Sequence, residues 1–153
     1  MKKNYICLFV LVLATVLVTL GLSKIYKIEV TKTSYAYEKM SKITSAEYDE
    51  YVVEHPDTII YIADKTNLSY NKFEKKFIKK LESLNLLKNV IYIEKEELNN
   101  SLNKKLKKNY SYEYDENLLP AIIVINDGAL SQISYINGDS LVDDIINYEV
   151  FEW

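Results

Sequence analysis

The stretch LPAIIVINDGALSQISYI, residues 119–136, constrains the fold more than any other part of the chain. Ala121–Ile125 is a short unbroken apolar run, largely β-branched, the pattern of a strand covered on both faces. Asn126-Asp127-Gly128 has the composition of a tight turn joining hairpin strands, so Ser131–Ile136 is expected to return antiparallel. Leu119-Pro120 stands immediately before the first of these strands. A proline there either just opens the strand, where its missing N–H does no harm, or marks a special backbone conformation.

Upstream, two similar runs, Thr58–Ile62 (TIIYI) and Asn89–Ile93 (NVIYI), alternate with helical patterns. Lys72–Leu84 puts Phe73, Phe77, Ile78, Leu81 and Leu84 on one helical face and Lys72, Lys75, Lys76, Lys79 and Lys80 elsewhere. Glu94–Lys108 repeats Leu98, Leu102 and Leu106 at every fourth position. Downstream, Asn137-Gly138-Asp139 makes a further turn, and Asp139 is placed to cap a last helix bearing Leu141, Ile145 and Tyr148. Thr44-Ser45-Ala46-Glu47 matches the capping box of a helix running to about Glu54, closed by His55-Pro56-Asp57. The order is α–β–α–β–α–β–β–α. Apolar strands joined by helices pair in parallel through right-handed crossovers, and the final hairpin adds antiparallel pairing. The expected class is α/β, a mixed central sheet flanked by helices.

The N-terminal part differs. Tyr5–Leu22 (YICLFVLVLATVLVTLGL) is an uncharged apolar run of 18 residues. As a helix it spans about 27 Å, close to the hydrocarbon thickness of a bilayer. A cleavable signal peptide has a shorter apolar core and a small-x-small site, to which only Thr19-Leu20-Gly21 comes near. The run therefore reads as one N-terminal transmembrane helix. Lys2 and Lys3 favour a cytoplasmic N-terminus and a C-terminal domain outside the membrane, against a contrast weakened by Lys24 and Lys27. Lys24–Lys42, without a clear period, is expected to be a juxtamembrane stalk with a short strand at Ile25–Val30. The domain reading is thus 1–23 anchor, 24–42 stalk and 43–153 folded body.

Composition limits the chemistry. All 19 basic residues are lysine, and without Lys2 and Lys3 the remainder has 17 Lys against 22 acids, a net charge of −5. Such a body has no general field for attracting nucleic acid, and none is expected as a partner. The lysine-rich usage, with abundant Asn, Ile and Tyr, is common in AT-rich genomes and suggests a low-GC Gram-positive bacterium. His55 is the only histidine and Cys7, inside the apolar run, the only cysteine. No zinc site and no cofactor is expected. Carboxylates cluster at Glu94, Glu96 and Glu97 and at Glu113, Asp115 and Glu116; both sets read as solvated acids, with a weak calcium site or a glycosidase-like pair as the sharper alternative. The lysine-rich segments Lys75–Lys80 and Lys104–Lys108 read as solvated helix faces or as contacts for anionic lipid heads. Fourteen tyrosines, among them Tyr35, Tyr37, Tyr48, Tyr51, Tyr110, Tyr112 and Tyr114, fit either biased usage or an interface.

The order of elements, with Leu119-Pro120 before the hairpin, resembles the thioredoxin fold. In particular it is similar to the membrane-tethered, bacteriocin-accessory type of thioredoxin-like protein, from about Ile43 to the C-terminus. In that family a Tyr-Ile pair leads through a short loop to Cys-Pro-x-Cys and then a Lys-Phe pair. The corresponding residues here are Tyr61-Ile62, the loop from Ala63 to Thr66, then Asn67-Leu68-Ser69-Tyr70, and Lys72-Phe73. The resemblance implies a cis bond before Pro120 and an extended peptide pairing with the main chain there. It also places the two family cysteines at Asn67 and Tyr70. Disulfide exchange needs an attacking thiolate and a resolving thiol, and neither side chain supplies one. No catalytic residue is therefore assigned.

Asn67 is expected to cap the helix, or else to line, with Leu68, Ser69, Tyr70, Leu119 and Pro120, a groove that takes another protein or peptide. The functional expectation is a redox-inactive, membrane-anchored binding module in bacteriocin or peptide export or immunity. The alternative is an enzyme of the same ancestry using non-thiol groups or a partner's thiols.

Overall fold

A computed structural model describes residues 11–24, 33–98, 100–137 and 142–146. The chain divides into two compact units, Met1–Thr33 and Ser34–Trp153. In the first, residues 11–24 form helix α1 with exposed apolar side chains. Among the described residues no helix is long and apolar enough to cross a membrane. The proposed span Tyr5–Leu22 lies partly outside them, and Cys7 and the expected strand Ile25–Val30 lie wholly outside.

The second unit carries a five-stranded sheet in the order β1-β3-β2-β4-β5. Its strands are β1 (Ser41–Lys42), β2 (Thr58–Ala63), β3 (Val90–Glu94), β4 (Ala121–Asn126) and β5 (Ala129–Tyr135). β3 pairs in parallel with β1 and β2, while β4 pairs antiparallel with β2 and β5. The apolar runs of β2 and β3, and β4 as far as Ile125, are buried throughout, as strands covered on both faces must be. Alternation sends Ile59, Tyr61, Val90, Tyr92, Ile122 and Val124 to one face, against helices α2 (Tyr35–Lys39), α4 (Asn71–Ser83) and α6 (Val142–Ile145). Ile60, Ile62, Ile91, Ile93, Ile123 and Ile125 take the other, against α3 (Tyr48–Glu54) and α5 (Asn100–Tyr110). Each fully buried aliphatic side chain is worth about 1.5–3 kcal/mol.

The hairpin turn forms where expected. Asp127 and Gly128 have φ of 50° and 73°, the left-handed pair that a two-residue turn needs. The turn is also held from outside: Asp57 Oδ1 accepts the Asp127 N–H at 2.7 Å, and the Gly128 N–H donates to the Pro56 carbonyl at 2.9 Å.

Several expectations need correction. Ser34–Lys42 is not stalk but part of the body: Ala36 and Met40 are buried in the core, and Ser41 and Lys42 pair with β3. Thr44 and Glu47 make only half of a capping box. Glu47 Oε2 takes the Thr44 N–H and hydroxyl, both at 2.8 Å, and the helix begins at Tyr48. The stretch 94–108 is not one helix. Glu94 ends β3, Lys95–Glu97 is a 3-10 turn capped by Leu98, and α5 follows; Leu98, before the helix, and Leu102 and Leu106 within it are buried. Tyr48, Tyr110 and Tyr112 are core residues, so they form no interface. Asp139, Leu141 and Tyr148 lie outside the described residues, and Ile145 is buried.

The least expected core residue is Glu74, 1% exposed on the inner face of α4. Its Oε2 accepts the Ala36 N–H at 2.9 Å and its Oε1 the Tyr61 hydroxyl at 3.0 Å. One carboxylate thus ties α2, α4 and β2 together. Burial raises its pKa against the opposing effect of these hydrogen bonds. A carboxyl whose folded pKa lies above its unfolded value stabilises most when protonated, and that stabilisation fades as pH rises through the folded pKa. The unfolding free energy of Glu74→Gln relative to the native protein should therefore increase from pH 4.5 to 7.5, measured by urea denaturation. A difference that stays constant with pH would show that the carboxyl ionises as freely in the folded as in the unfolded chain.

Candidate functional site

The site predicted from the sequence lies at the end of the sheet where β2 and β3 finish and β4 begins. Ile62 pairs with Ala121 and Ala63 with Glu94, so Pro120 stands level with Ala63 at the sheet's end. The β2–α4 loop and the Leu119-Pro120 segment therefore leave the sheet from the same end. Crossovers from β2 and β3 pass to opposite faces, since α4 and α5 cover different sides. Crevices at such a switch point are the usual ligand positions of open α/β sheets.

The loop is organised by its own polar side chains. Asp64 Oδ1 accepts the Thr66 N–H at 2.7 Å and the Thr66 hydroxyl at 2.6 Å, while Oδ2 lies 2.6 Å from Lys95 Nζ. Burial works against the Asp64 charge, but the Lys95 and Thr66 hydrogen bonds outweigh it and hold the pKa at about 2. Asn67 Oδ1 accepts the Ser69 N–H at 3.1 Å, capping a 3-10 turn, Leu68–Tyr70, that runs into α4. The capping expectation for Asn67 is met, although the capped element is this turn. Asn71 Oδ1 then takes the Tyr35 N–H at 2.8 Å, fastening α2 to the start of α4. Leu68 and Ser69 are exposed, whereas Tyr70 is half-buried against the core.

At the same end of the sheet the Leu119-Pro120 bond is cis, and both residues are buried. The Pro120 carbonyl accepts the Ile136 N–H at 2.8 Å, so the segment is tied to the end of the hairpin. Among the described residues, the main chain of Leu119 makes no backbone–backbone hydrogen bond.

The acidic clusters are engaged in ion pairs and turns. Lys65 Nζ pairs with Glu96 at 2.9 Å and its N–H donates to Glu94 Oε1 at 3.2 Å. Glu97 takes the Ser45 N–H, Glu116 faces Lys95 at 3.4 Å and Asp115 caps the turn at Asn117. Glu94 is nearly buried, and desolvation raises its pKa in spite of the Lys65 N–H. Among the described residues no three His, Cys, Asp or Glu side chains converge on a point that could hold a metal. His55 stacks on Tyr51 with ring centres 4.2 Å apart, its Nδ1 3.0 Å from the Tyr51 carbonyl, at the end of α3 and away from this site.

No family model and no curated protein matches the chain. Solved structures do. One, a protein with a thioredoxin fold proposed to be an oxidoreductase, superposes with a TM-score of 0.57 at 15% identity, covering 75% of this chain and 97% of the other. Oxidised thioredoxin O2 from Arabidopsis thaliana gives 0.45 at 11% identity, covering 70% and 88%. The fold is thioredoxin-like, as the first of these superpositions establishes.

Sequence reasoning missed the Asp64–Lys95 pair and Glu74. A signal existed for Glu74, which lies three and four residues before Phe77 and Ile78 on the apolar face of its helix. Asn67→Ala should destabilise the body by about 1 kcal/mol through the lost cap, and Asn67→Asp should restore most of it. Chemical denaturation of the three proteins decides this; equal midpoints would mean that the Asn67 oxygen caps nothing.

Proposed function

We propose that this protein is a thioredoxin-like module without redox activity that binds an extended segment of another protein at the Leu119-Pro120 end of its sheet. The observation that carries the reading is a main chain that, among the described residues, makes no backbone–backbone hydrogen bond at Leu119, at the sheet end from which the loop bearing Asn67 and Tyr70, and no thiol, also leaves. Unpaired main chain at a sheet end accepts a further strand, with neighbouring side chains setting specificity. Leu68, Ser69 and Tyr70, on the loop that leaves the same end of the sheet, are the side chains assigned here to specificity. Thiol exchange would need two sulfurs, and the one cysteine in the sequence, Cys7, lies in the apolar N-terminal run.

Anchoring belongs to the same proposal. Tyr5–Leu22 is long enough to span a bilayer, and it would hold the body on the outer side of a bacterial cell membrane. The sequence resemblance suggests bacteriocin or peptide export or immunity as the setting.

A photo-crosslinking amino acid at position 70 in the full-length protein, expressed in a low-GC Gram-positive host, tests the groove. A discrete protein adduct that disappears with Pro120→Ala, while an adduct from a position on α3 does not, is the expected result. Adducts insensitive to Pro120, or turnover of an insulin disulfide by the purified protein with dithiothreitol above background, would contradict the proposal.

A further inference from the structure

α4 carries an unbalanced charge. Lys72, Lys75, Lys76, Lys79 and Lys80 fall within about 140° of the helix circumference along about 12 Å of its length. The one acid between residues 72 and 80 is Glu74, which points inward and is buried. Among the described residues, Lys72, Lys75, Lys76 and Lys79 make no ion pair, and Lys80 reaches Asp143 at 3.1 Å. On α5, Lys105 pairs with Asp49 and Lys107 with Glu113 at 2.7 Å, so two of its four lysines are engaged. A solvated helix face interleaves charges of both signs. In a chain with 22 acids and a net charge of −3, this lysine stripe, with exposed Glu82 at its C-terminal edge, is a local reversal of sign.

The stripe also lies beside the place where the chain enters the body. Ser34 begins that unit, and the next residue, Tyr35, donates its N–H to Asn71 at the first turn of α4. The Tyr35 ring lies beneath Lys75 Nζ, 5.6 Å from its centre, and Lys39 Nζ is 6.0 Å away. Tyrosine flanked by lysines is the composition found at headgroup level in membrane-bound proteins.

We infer that the lysine stripe of α4 docks on the anionic lipid headgroups of the membrane that holds the N-terminal segment. This rests on the anchored reading above. Charge complementarity selects the occupant. Docking there leaves the face carrying α3 and α5 turned away from the lipid.

Each lysine near an anionic surface changes partitioning roughly fivefold. The test uses full-length protein with Cys7→Ala, reconstituted in vesicles containing a headgroup-quencher lipid. A fluorophore is placed at Ser83→Cys, in line with the stripe, or at Glu54→Cys on α3. Position 83 should be quenched in phosphatidylglycerol bilayers and at least tenfold less in pure phosphatidylcholine, in 0.5 M salt, or with Lys72, Lys75, Lys76 and Lys79 all changed to Glu. Position 54 should respond to none of these. Circular dichroism of the fourfold variant checks that it folds, and Lys→Gln at the same four sites gives a milder second variant.

Quenching that is equal in both lipids, or unaffected by either set of substitutions, overturns the inference. So does an unquenched label together with lysine-dependent retardation of DNA, which would move the stripe to nucleic acid. Resistance to alkaline carbonate extraction reports the anchor separately. Protein retained after extraction but unquenched leaves the anchor and refutes the stripe; protein extracted yet quenched on phosphatidylglycerol does the reverse.

Discussion

Everything in the body follows from the need to cover both faces of β2, β3 and β4. Their side chains are apolar in both directions, so an uncovered face would leave rows of isoleucine, valine and tyrosine in water. The crossovers supply the cover: α3 and α5 close one face, and α4 with α2 and α6 closes the other. β2 and β3 send their helices to opposite sides, and strand ends where crossovers diverge in this way are where open α/β sheets usually place ligands. The loop 64–70 and the Leu119-Pro120 segment meet the sheet at that end. The position of the site is therefore a result of the covering problem, reached before any binding chemistry is considered.

Glu74 shows how closely one face is sealed. α2 is only five residues long and could not persist by helix propensity alone. It is held because its N–H groups find oxygen on α4, from Asn71 at Tyr35 and from Glu74 at Ala36. That arrangement removes a carboxylate from water at an energetic cost, which appears as a raised pKa. The gain is a lid over Tyr61 and Tyr92, whose rings lie 5.8 Å apart beneath it.

The strands were legible because a run such as Ala121–Ile125 has few alternatives, and the turn at Asp127-Gly128 because few sequences accept two left-handed residues. The region from Ser34 to Lys42 was not legible. A five-residue helix and a two-residue strand are too short for periodicity, and what fixes them is contact with residues 30 to 50 positions away. The break at Glu94–Leu98 escaped for the same reason: Glu94 stays with its strand because it pairs with Ala63 on β2, while its side chain takes the Lys65 N–H. Tyrosine counts misled because Tyr48, Tyr110 and Tyr112 are large enough to fill a core that other proteins fill with leucine or phenylalanine. At the site, the capping role of Asn67 could be read from its residue type. Its neighbours in space, Asp64 and Lys95, came only with the fold.

The central claim of the proposed function is that Asn67 and Tyr70 stand at the two positions where the resembled family carries its dithiol. Replacing both, Asn67→Cys with Tyr70→Cys in a Cys7→Ala background, tests it most directly. The account predicts that the paired thiols oxidise to an intramolecular disulfide on exposure to oxidised glutathione, seen as resistance to alkylation in monomeric protein. It also predicts that the thiol at 67, at the start of the turn where the Asn67 oxygen took the Ser69 N–H, reacts with iodoacetamide below pH 8. Two thiols that remain fully alkylatable in a protein folded like the native one would contradict it.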